Sequence, residues 1–156
     1  MEITIIEDTR NQIGKHNKKN LWFAANGIKV LRSKLPVGDY ALMTNLSVCI
    51  DTKKNLQEIC GNVTHQHKRF VEELTKAHEN GIKLYILCEH GSGINCLEDV
   101  KNWANPRIKQ SPKATTGETL FKILHSMETR HGCEFVFCSK AETGRRIMEL
   151  LGGSMQ

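Results

Sequence analysis

Apolar residues recur with two different periods along this chain, and each period predicts one kind of secondary structure. Residues 46–53 alternate apolar and polar side chains, the pattern of a strand buried on one face. Residues 64–80 place apolar side chains at helical spacing, and Gly81 ends that run. The predicted strands are 3–7, 28–33, 39–43, 46–53, 82–88 and 134–138. The predicted helices in the first half are 15–26, a short helical turn near 56–60, and 64–80. Two more helices are predicted in the second half, one from a capping box at 115–118 to Gly132, and one from a capping box at 139–142 through Leu151, ended by Gly152 and Gly153.

The order of these elements predicts an α/β fold with a mixed central sheet flanked by helices. Residues 82–88 are a nearly continuous apolar run, which favours a central strand covered on both faces. The chain has 156 residues, of which 39% are hydrophobic, enough for one core without disulfide or metal support. We therefore expect residues 1–156 to form a single domain.

Two acidic residues and a lysine are the most informative polar positions. Asp51 and Lys53 are two residues apart on a predicted strand, so they project from one face about 7 Å apart. Asp39 opens the preceding predicted strand, and the short turn between the strands lets it approach Asp51. Carboxylates bind hard divalent cations and an ammonium can contact a phosphate, so this group predicts a metal-dependent phosphodiesterase.

The same residues also have a purely structural interpretation. Gly38 and Asp39 are common hairpin-turn residues. Asp51 and Lys53 alternate with apolar residues, as charged residues on the solvated face of a strand do. The functional interpretation therefore depends on further motifs in a compatible order.

Four sequence pieces supply that order, namely Asp8-Thr9-Arg10-Asn11, Val37-Gly38-Asp39-Tyr40, Ile50-Asp51-Thr52-Lys53 and Arg69. Together they resemble the motifs of the XPF-type structure-specific endonucleases, a branch of the restriction-endonuclease-like PD-(D/E)XK nucleases. The resemblance spans residues 1 to about 90 and is closest to short phage and prophage members. It implies a single nuclease-like domain with the restriction-endonuclease-like core.

The chain departs from the family pattern at four positions. Asn11 stands where the family has glutamate, Thr52 where it has arginine, and Gln57 where it has a trailing aspartate. Asp51 replaces a glutamate, a change that the wider superfamily accepts. Fewer carboxylates weaken the binding of Mg²⁺, which keeps most of its waters, so metal affinity or substrate choice is expected to differ.

By resemblance, the activity is hydrolysis of DNA phosphodiester bonds with Mg²⁺ or Mn²⁺. The implied catalytic residues are Asp8, Asp39, Asp51 and Lys53, of which the three aspartates would bind the metal, and the implied DNA-binding residues are Arg10, Lys54 and Arg69. Arg69 also has a structural alternative as the partner of Glu73, four residues later on a predicted helix. Lys54 could equally be a solvated surface residue.

The net charge of +5 favours a polyanionic partner such as DNA. No signal peptide or long apolar run is present, so we expect a cytoplasmic protein of a bacterial or phage-infected cell, with no membrane partner and no organic cofactor.

The six cysteines are expected to be reduced. A zinc site built from Cys88, His90 and Cys96 with Cys133 or Cys138 is a weaker alternative, because the spacing does not match common zinc motifs.

The basic segment 101–113 has two interpretations. It could be an arm against the DNA backbone with Trp103 stacked on a base, or a solvated loop with Trp103 in the core, which is favoured.

No helix-hairpin-helix pattern is found, so DNA would be bound by the nuclease domain itself, through a homodimer, or through another protein. Three hypotheses remain: an active endonuclease on flap, splayed or branched DNA, a catalytically inactive DNA-binding or scaffolding module, and a zinc-stabilised interaction domain.

Overall fold

The computed structural model describes residues 2–152, and strands and helices alternate along most of this range. The strands are β1 (Ile3–Asp8), β2 (Ile28–Ser33), β3 (Tyr40–Leu42), β4 (Asn45–Lys53), β5 (Lys83–Cys88) and β6 (Glu134–Phe137). The helices are α1 (Asn17–Ala25), α2 (Leu56–Thr64), α3 (His67–Glu79), α4 (Gly117–His131) and α5 (Thr143–Leu150), with 3-10 turns at Leu97–Asn102, Pro106–Lys109 and Lys140–Glu142.

The strands form one mixed sheet in the order β2-β1-β3-β4-β5-β6. Strand β3 runs antiparallel to both of its neighbours, β1 and β4, whereas the pairs β1–β2, β4–β5 and β5–β6 are parallel. The prediction of an α/β fold with a mixed sheet flanked by helices is therefore confirmed. Within residues 2–152, no helix is both long and apolar enough to cross a membrane.

Each face of the sheet carries its own hydrophobic core. On one face, Ala41, Cys49 and Ile86 of the sheet pack with the apolar sides of α2, α3 and α4. On the other face, Tyr40 and Ile50 pack with α1 and α5. The sheet thus forms the middle of three layers, and strand β5 is buried on both faces as its apolar run predicts.

Helix α2 is longer than the short turn predicted near residues 56–60, and a reciprocal cap explains its start. The side chain of Asn55 accepts a hydrogen bond from the Glu58 N–H at 2.9 Å. The Glu58 carboxylate in turn accepts one from the Lys54 N–H at 3.2 Å. This arrangement satisfies two of the free amides at a helix start, with asparagine in the place of the usual serine or threonine.

Other element boundaries also differ from the predictions. Strand β3 begins at Tyr40, so Asp39 lies just before it. Helix α4 is capped by Thr116, which accepts from the Thr119 N–H at 3.2 Å, one residue later than the predicted box. Helix α5 begins at Thr143 because a 3-10 turn precedes it. The predicted stop signal at Gly153 lies outside the described residues.

The first and last helices pack directly on each other. Gly144 of α5 lies against the indole of Trp22 of α1, and a Cβ atom at position 144 would come within 2.7 Å of that ring. Neighbouring Phe23 is fully buried in the same core. The absence of a side chain at Gly144 therefore allows α1 and α5 to approach closely.

Candidate active-site cleft

Strand pairing places Asp39 and Asp51 side by side at one end of the sheet. Tyr40 of β3 pairs with Ile50 of β4, so the next position brings Asp39 opposite Asp51. The Asp39 N–H donates to the Ile50 carbonyl at 2.7 Å, which fixes this register beyond the end of β3. Both aspartates line a cleft of about 520 Å³, and Lys53 lines it with them. The three residues predicted to carry the chemistry therefore share one cavity.

Gly38 sets the position of Asp39. Its backbone has φ of 78°, and a Cβ atom there would lie 2.9 Å from the Ile50 carbonyl oxygen. The Gly38 N–H donates to the Glu73 carboxylate of α3 at 3.3 Å. Glycine is thus required both by the left-handed backbone and by the close approach of β4.

The Asp39 carboxylate is held by three hydrogen bonds. Its Oδ2 accepts from the Thr52 hydroxyl at 2.6 Å and the Thr52 N–H at 2.8 Å, and its Oδ1 accepts from the Asn11 side chain at 2.9 Å. Burial alone would raise the pKa of Asp39, but these donors outweigh it and hold the pKa below its ordinary value. Two of the departures from the family pattern, Asn11 and Thr52, therefore stabilise ionised Asp39.

Asp51 is in the opposite electrostatic situation. Burial, and after it the charge of Asp39, raise the pKa of Asp51 to about 8, although the ammonium of Lys53 opposes this shift. The Lys53 Nζ lies 3.2 Å from Asp51 Oδ2, but that buried oxygen receives no well-aligned hydrogen bond. Burial lowers the pKa of Lys53, and the carboxylate of Asp51 more than offsets it, so the pKa is raised overall. Lys53 is therefore charged when Asp51 is ionised, which is the state in which Asp51 can bind a cation.

The two converging carboxylates fit a weakly held, hydrated divalent cation. Within residues 2–152, no three His, Cys, Asp or Glu side chains are close enough to enclose a metal ion. Mg²⁺, however, is commonly held by one or two carboxylates together with waters and substrate phosphates. The Asp51 Oδ2 atom lies 3.2 Å from the Lys53 Nζ without a well-aligned hydrogen bond, so a divalent cation bound by this carboxylate would share it with that ammonium. Asp39 and Asp51 are therefore the residues that would hold it.

Asp8 and Arg10 hold the strand end rather than the cleft. Asp8 is 2% exposed, and its Oδ1 accepts from the Leu35 N–H at 2.7 Å. Its Oδ2 accepts from the Arg10 side chain at 2.7 Å, and Arg10 also donates to the Leu35 carbonyl at 3.0 Å. Neither residue lines the cleft, although the Asp8 N–H donates to the Asp39 carbonyl. The metal-binding role of Asp8 and the DNA-binding role of Arg10 stay predictions.

The other two predicted DNA-binding residues lie in different places. Lys54 is exposed and lines the cleft. Arg69 is exposed on α3 and lines a neighbouring depression that shares His65 with the cleft. The alternative pairing of Arg69 with Glu73 does not occur among the ion pairs of residues 2–152, because Glu73 contacts Gly38 instead.

The zinc alternative is wrong for the described part of the chain. Cys88, His90, Cys96, Cys133 and Cys138 do not gather into a metal-binding group within residues 2–152. The His90 Nδ1 instead accepts from the Leu56 N–H at 3.1 Å. Trp103 is 9% exposed and packs edge-on against His90, so the interpretation of this residue as part of the core is confirmed.

Sequence reasoning predicted only the first turn of α2, the helix that forms one wall of the cleft, and did not connect it with the site. Gln57, Gly61 and His65 follow one another at a spacing of four and line the cleft along one side of α2. Gln57, considered only as a replaced aspartate, thus does face the site. The signal in the sequence was the spacing of four between Gln57, Gly61 and His65, which places them on one side of a helix. The predicted helix ended near residue 60, so this shared side was not recognised.

Known proteins share this fold and this arrangement of strands. A family model described as the ERCC4 domain matches residues 7–150. The structure of XPF from Aeropyrum pernix is similar with a TM-score of 0.66 at 15% identity, covering 95% of this chain and 63% of that one. The same protein in complex with DNA gives a TM-score of 0.67 at 15% identity, covering 97% and 64%. At this identity the likeness shows a shared fold, and this chain spans less than two thirds of the length of XPF. No curated protein sequence matches the chain.

Proposed function

Since the chain belongs to the ERCC4 domain family of the restriction-endonuclease-like superfamily, we propose that it is a DNA endonuclease that hydrolyses phosphodiester bonds with a divalent cation, Mg²⁺ or Mn²⁺. The observation that carries this proposal is the convergence of Asp39, Asp51 and Lys53 on one cleft. The buried carboxylate of Asp51 beside Asp39 supports a cation at that place, because two carboxylates supply the hard oxygen ligands that Mg²⁺ prefers. The net charge of +5 supports a polyanionic substrate.

Each of the three side chains has a distinct task in this proposal. Asp39 is ionised and locked by Thr52 and Asn11, so it presents a preorganised ligand. Asp51 supplies the second carboxylate, which must lose its proton before it can bind a cation. The charged Lys53 ammonium contacts the phosphate and stabilises the negative charge that develops in the transition state. A bound divalent cation would activate water and neutralise phosphate charge.

The preferred substrate in this proposal is flap, splayed or branched DNA. XPF from Aeropyrum pernix, which shares the fold, has been solved in complex with DNA. The cleft lies at one end of the sheet and has a volume of about 520 Å³, with Lys15, Lys53 and Lys54 among the residues that line it, which supports an anionic substrate there. We further propose that the protein acts in the cytoplasm of a bacterial or phage-infected cell, alone or as a homodimer.

A strand-mapping assay tests the proposal. Purified protein is incubated with labelled flap, splayed-arm, Holliday-junction and linear duplex DNA in Mn²⁺, in Mg²⁺, and in EDTA. We expect metal-dependent nicking that Asp51→Asn and Lys53→Ala abolish. Asp99→Asn makes the same chemical change as Asp51→Asn on a half-exposed residue of the 3-10 turn outside the cleft, and it should cut like the parent. Absence of nicking on every substrate in both metals would rule out the proposal.

One observation favours a second candidate, a catalytically inactive DNA-binding module. Within the described residues, no third acidic or histidine side chain completes a metal site with Asp39 and Asp51. Under this alternative the parent chain would bind branched DNA without nicking it. Asp39→Ala would then leave DNA affinity unchanged, whereas loss of a metal-dependent fraction of that affinity would support the endonuclease.

A further inference from the structure

A second groove adjoins the active-site cleft, and lysines dominate its wall. This lysine groove, about 460 Å³ in volume, is lined by Lys15, Lys18, Lys19, Lys54 and Lys140 together with Gly14, His16, Asn17, Thr52, Glu58 and Glu89. Lys15, Thr52, Lys54 and Glu58 also line the active-site cleft. Because the two cavities share these side chains, a single extended ligand can occupy both.

Most of the positive charge in the lysine groove is not neutralised by the protein. Lys15, Lys18, Lys54 and Lys140 are exposed, and none of them forms an ion pair with any residue of 2–152. Of the two acidic residues in the wall, Glu89 is paired with Lys19 at 2.8 Å. The groove therefore has a surplus of cations that an anion would stabilise.

The amino end of α1 adds to this surplus. The helix is nine residues long, no side chain caps its start, and no acidic residue lies in its first turn. A helix start presents free N–H groups and the positive end of the helix dipole. Lysines in this first turn are unfavourable for the helix itself, and a bound anion would remove that conflict.

His16 supplies an independent sign of a missing acceptor. The residue is 3% exposed, and its Nδ1 lies 3.2 Å from the Lys19 Nζ. An ammonium can only donate, so Nδ1 accepts and the neutral ring carries its proton on Nε2. Burial lowers the pKa of His16, which keeps the ring neutral. The Nε2 atom is buried and has no hydrogen-bond partner within the described chain, so a residue that lines the groove carries an unsatisfied donor just beneath the groove surface.

We propose that the lysine groove binds a backbone phosphate of the DNA substrate, on the strand that continues from the phosphate contacted by Lys53 in the active-site cleft. The exposed lysines supply the charge, and a local shift of the groove wall on binding lets the buried His16 Nε2 donate a hydrogen bond to a phosphate oxygen. This inference rests on the proposed function, because it assigns the path of the DNA strand leaving that cleft. It also explains why the active-site cleft, with its two aspartates, adjoins a groove lined mainly by lysines.

Salt-dependent DNA binding tests the proposal separately from cleavage. Affinity for a labelled splayed-arm DNA is measured by fluorescence anisotropy in EDTA at several salt concentrations. The double variant Lys15→Gln/Lys140→Gln should bind at least tenfold more weakly, and the slope of log K against log salt should fall by about 1.4, at about 0.7 per lost contact with a single strand. Lys29→Gln removes one charge from exposed β2, outside the groove, and should keep the parent slope.

A variant of His16 gives a second readout. His16→Phe keeps a ring beside Tyr40 but removes the unsatisfied donor, and with it the Nδ1 acceptor of Lys19, which keeps its ion pair with Glu89. We expect this variant to bind DNA more weakly while its resistance to urea stays unchanged or rises. If His16 had only a structural role, DNA affinity and urea resistance would change together. Unchanged DNA affinity in both the lysine double variant and His16→Phe would overturn the inference.

The outcomes separate this inference from the endonuclease proposal. If the parent nicks DNA in Mn²⁺ but the lysine double variant keeps the parent slope, the groove assignment fails and the endonuclease stands. If the slope falls as expected but the parent never nicks DNA, the groove assignment stands and the endonuclease fails. Lack of any DNA binding by the parent in EDTA overturns the groove assignment as well.

Discussion

The substitution Gly38→Ala gives the sharpest test of how the chain positions its acidic pair. Gly38 has φ of 78°, a backbone conformation that costs an alanine about 1–2 kcal/mol. The added Cβ would also lie 2.9 Å from the Ile50 carbonyl oxygen, so β3 and β4 must separate locally by about 0.5 Å to reach ordinary contact. Forcing atoms into such a packed position typically costs about 2 kcal/mol more.

The same displacement affects the site, because the Ile50 carbonyl also accepts the Asp39 N–H at 2.7 Å. Asp39 would move with its neighbour, and its hydrogen bonds to Thr52, at 2.6 and 2.8 Å, would lengthen. Catalytic groups must stay within about 0.5 Å of their productive positions. We therefore expect cleavage to fall about tenfold or more, even under conditions in which the variant is fully folded.

Gly81→Ala is the matched control for this experiment. Gly81 has φ of 66°, but a Cβ atom added there would meet no other atom within 4 Å, so its substitution costs the backbone strain alone. Urea unfolding of both variants should show Gly38→Ala less stable than Gly81→Ala by about 2 kcal/mol. Cleavage of flap DNA is then measured well below the unfolding midpoint of each variant. Equal stability losses, or full activity in Gly38→Ala, would refute the steric argument.

Three further predictions concern the hydrogen bonds of Asp39 and Asp8 and the raised pKa of Asp51. Thr52→Val removes the hydroxyl that donates to Asp39 and should cost about 2 kcal/mol at pH 7, while Thr52→Ser restores it. The pKa of Asp39 is lowered by folding, so this difference in urea stability should shrink as the pH falls through that pKa. Because the pKa of Asp51 is raised to about 8, cleavage at limiting Mn²⁺ should rise about tenfold per pH unit up to about pH 8 and then level off; a flat profile from pH 6 to 9 would contradict it. Asp8→Asn should lower urea stability by about 2 kcal/mol without changing Mn²⁺ affinity in a calorimetric titration, whereas weaker Mn²⁺ binding in this variant would identify Asp8 as a metal ligand.

The strand pattern and the acidic pair were the parts of the site that sequence could predict. Alternation along residues 46–53 places Asp51 and Lys53 on one face, and their proximity to Asp39 follows from a short hairpin, so both are local properties of the chain. The observed sheet and the shared cleft agree with that prediction. Local periodicity therefore carried most of the information.

The contacts that sequence could not predict are those between distant segments. Asp8 looks like a third metal ligand in the motif order, but its carboxylate contacts the backbone of Leu35, which no periodicity relates to it. The donation from Asn11 to Asp39 likewise joins two loops. Lys15 and Lys19 look like an ordinary solvated helix face until the sheet places that helix beside β4 and the loop after β5.

The close packing of Trp22 against Gly144 has a consequence for how the protein is made. Synthesis proceeds from the amino end, so α1 emerges long before the helix that covers it. Until α5 is complete, the indole lacks the surface around Gly144, and Lys19 and Lys140 cannot face a common space. A nascent chain on the ribosome therefore lacks a formed lysine groove, and the DNA contact that we propose for this groove should arise only after this region has been translated.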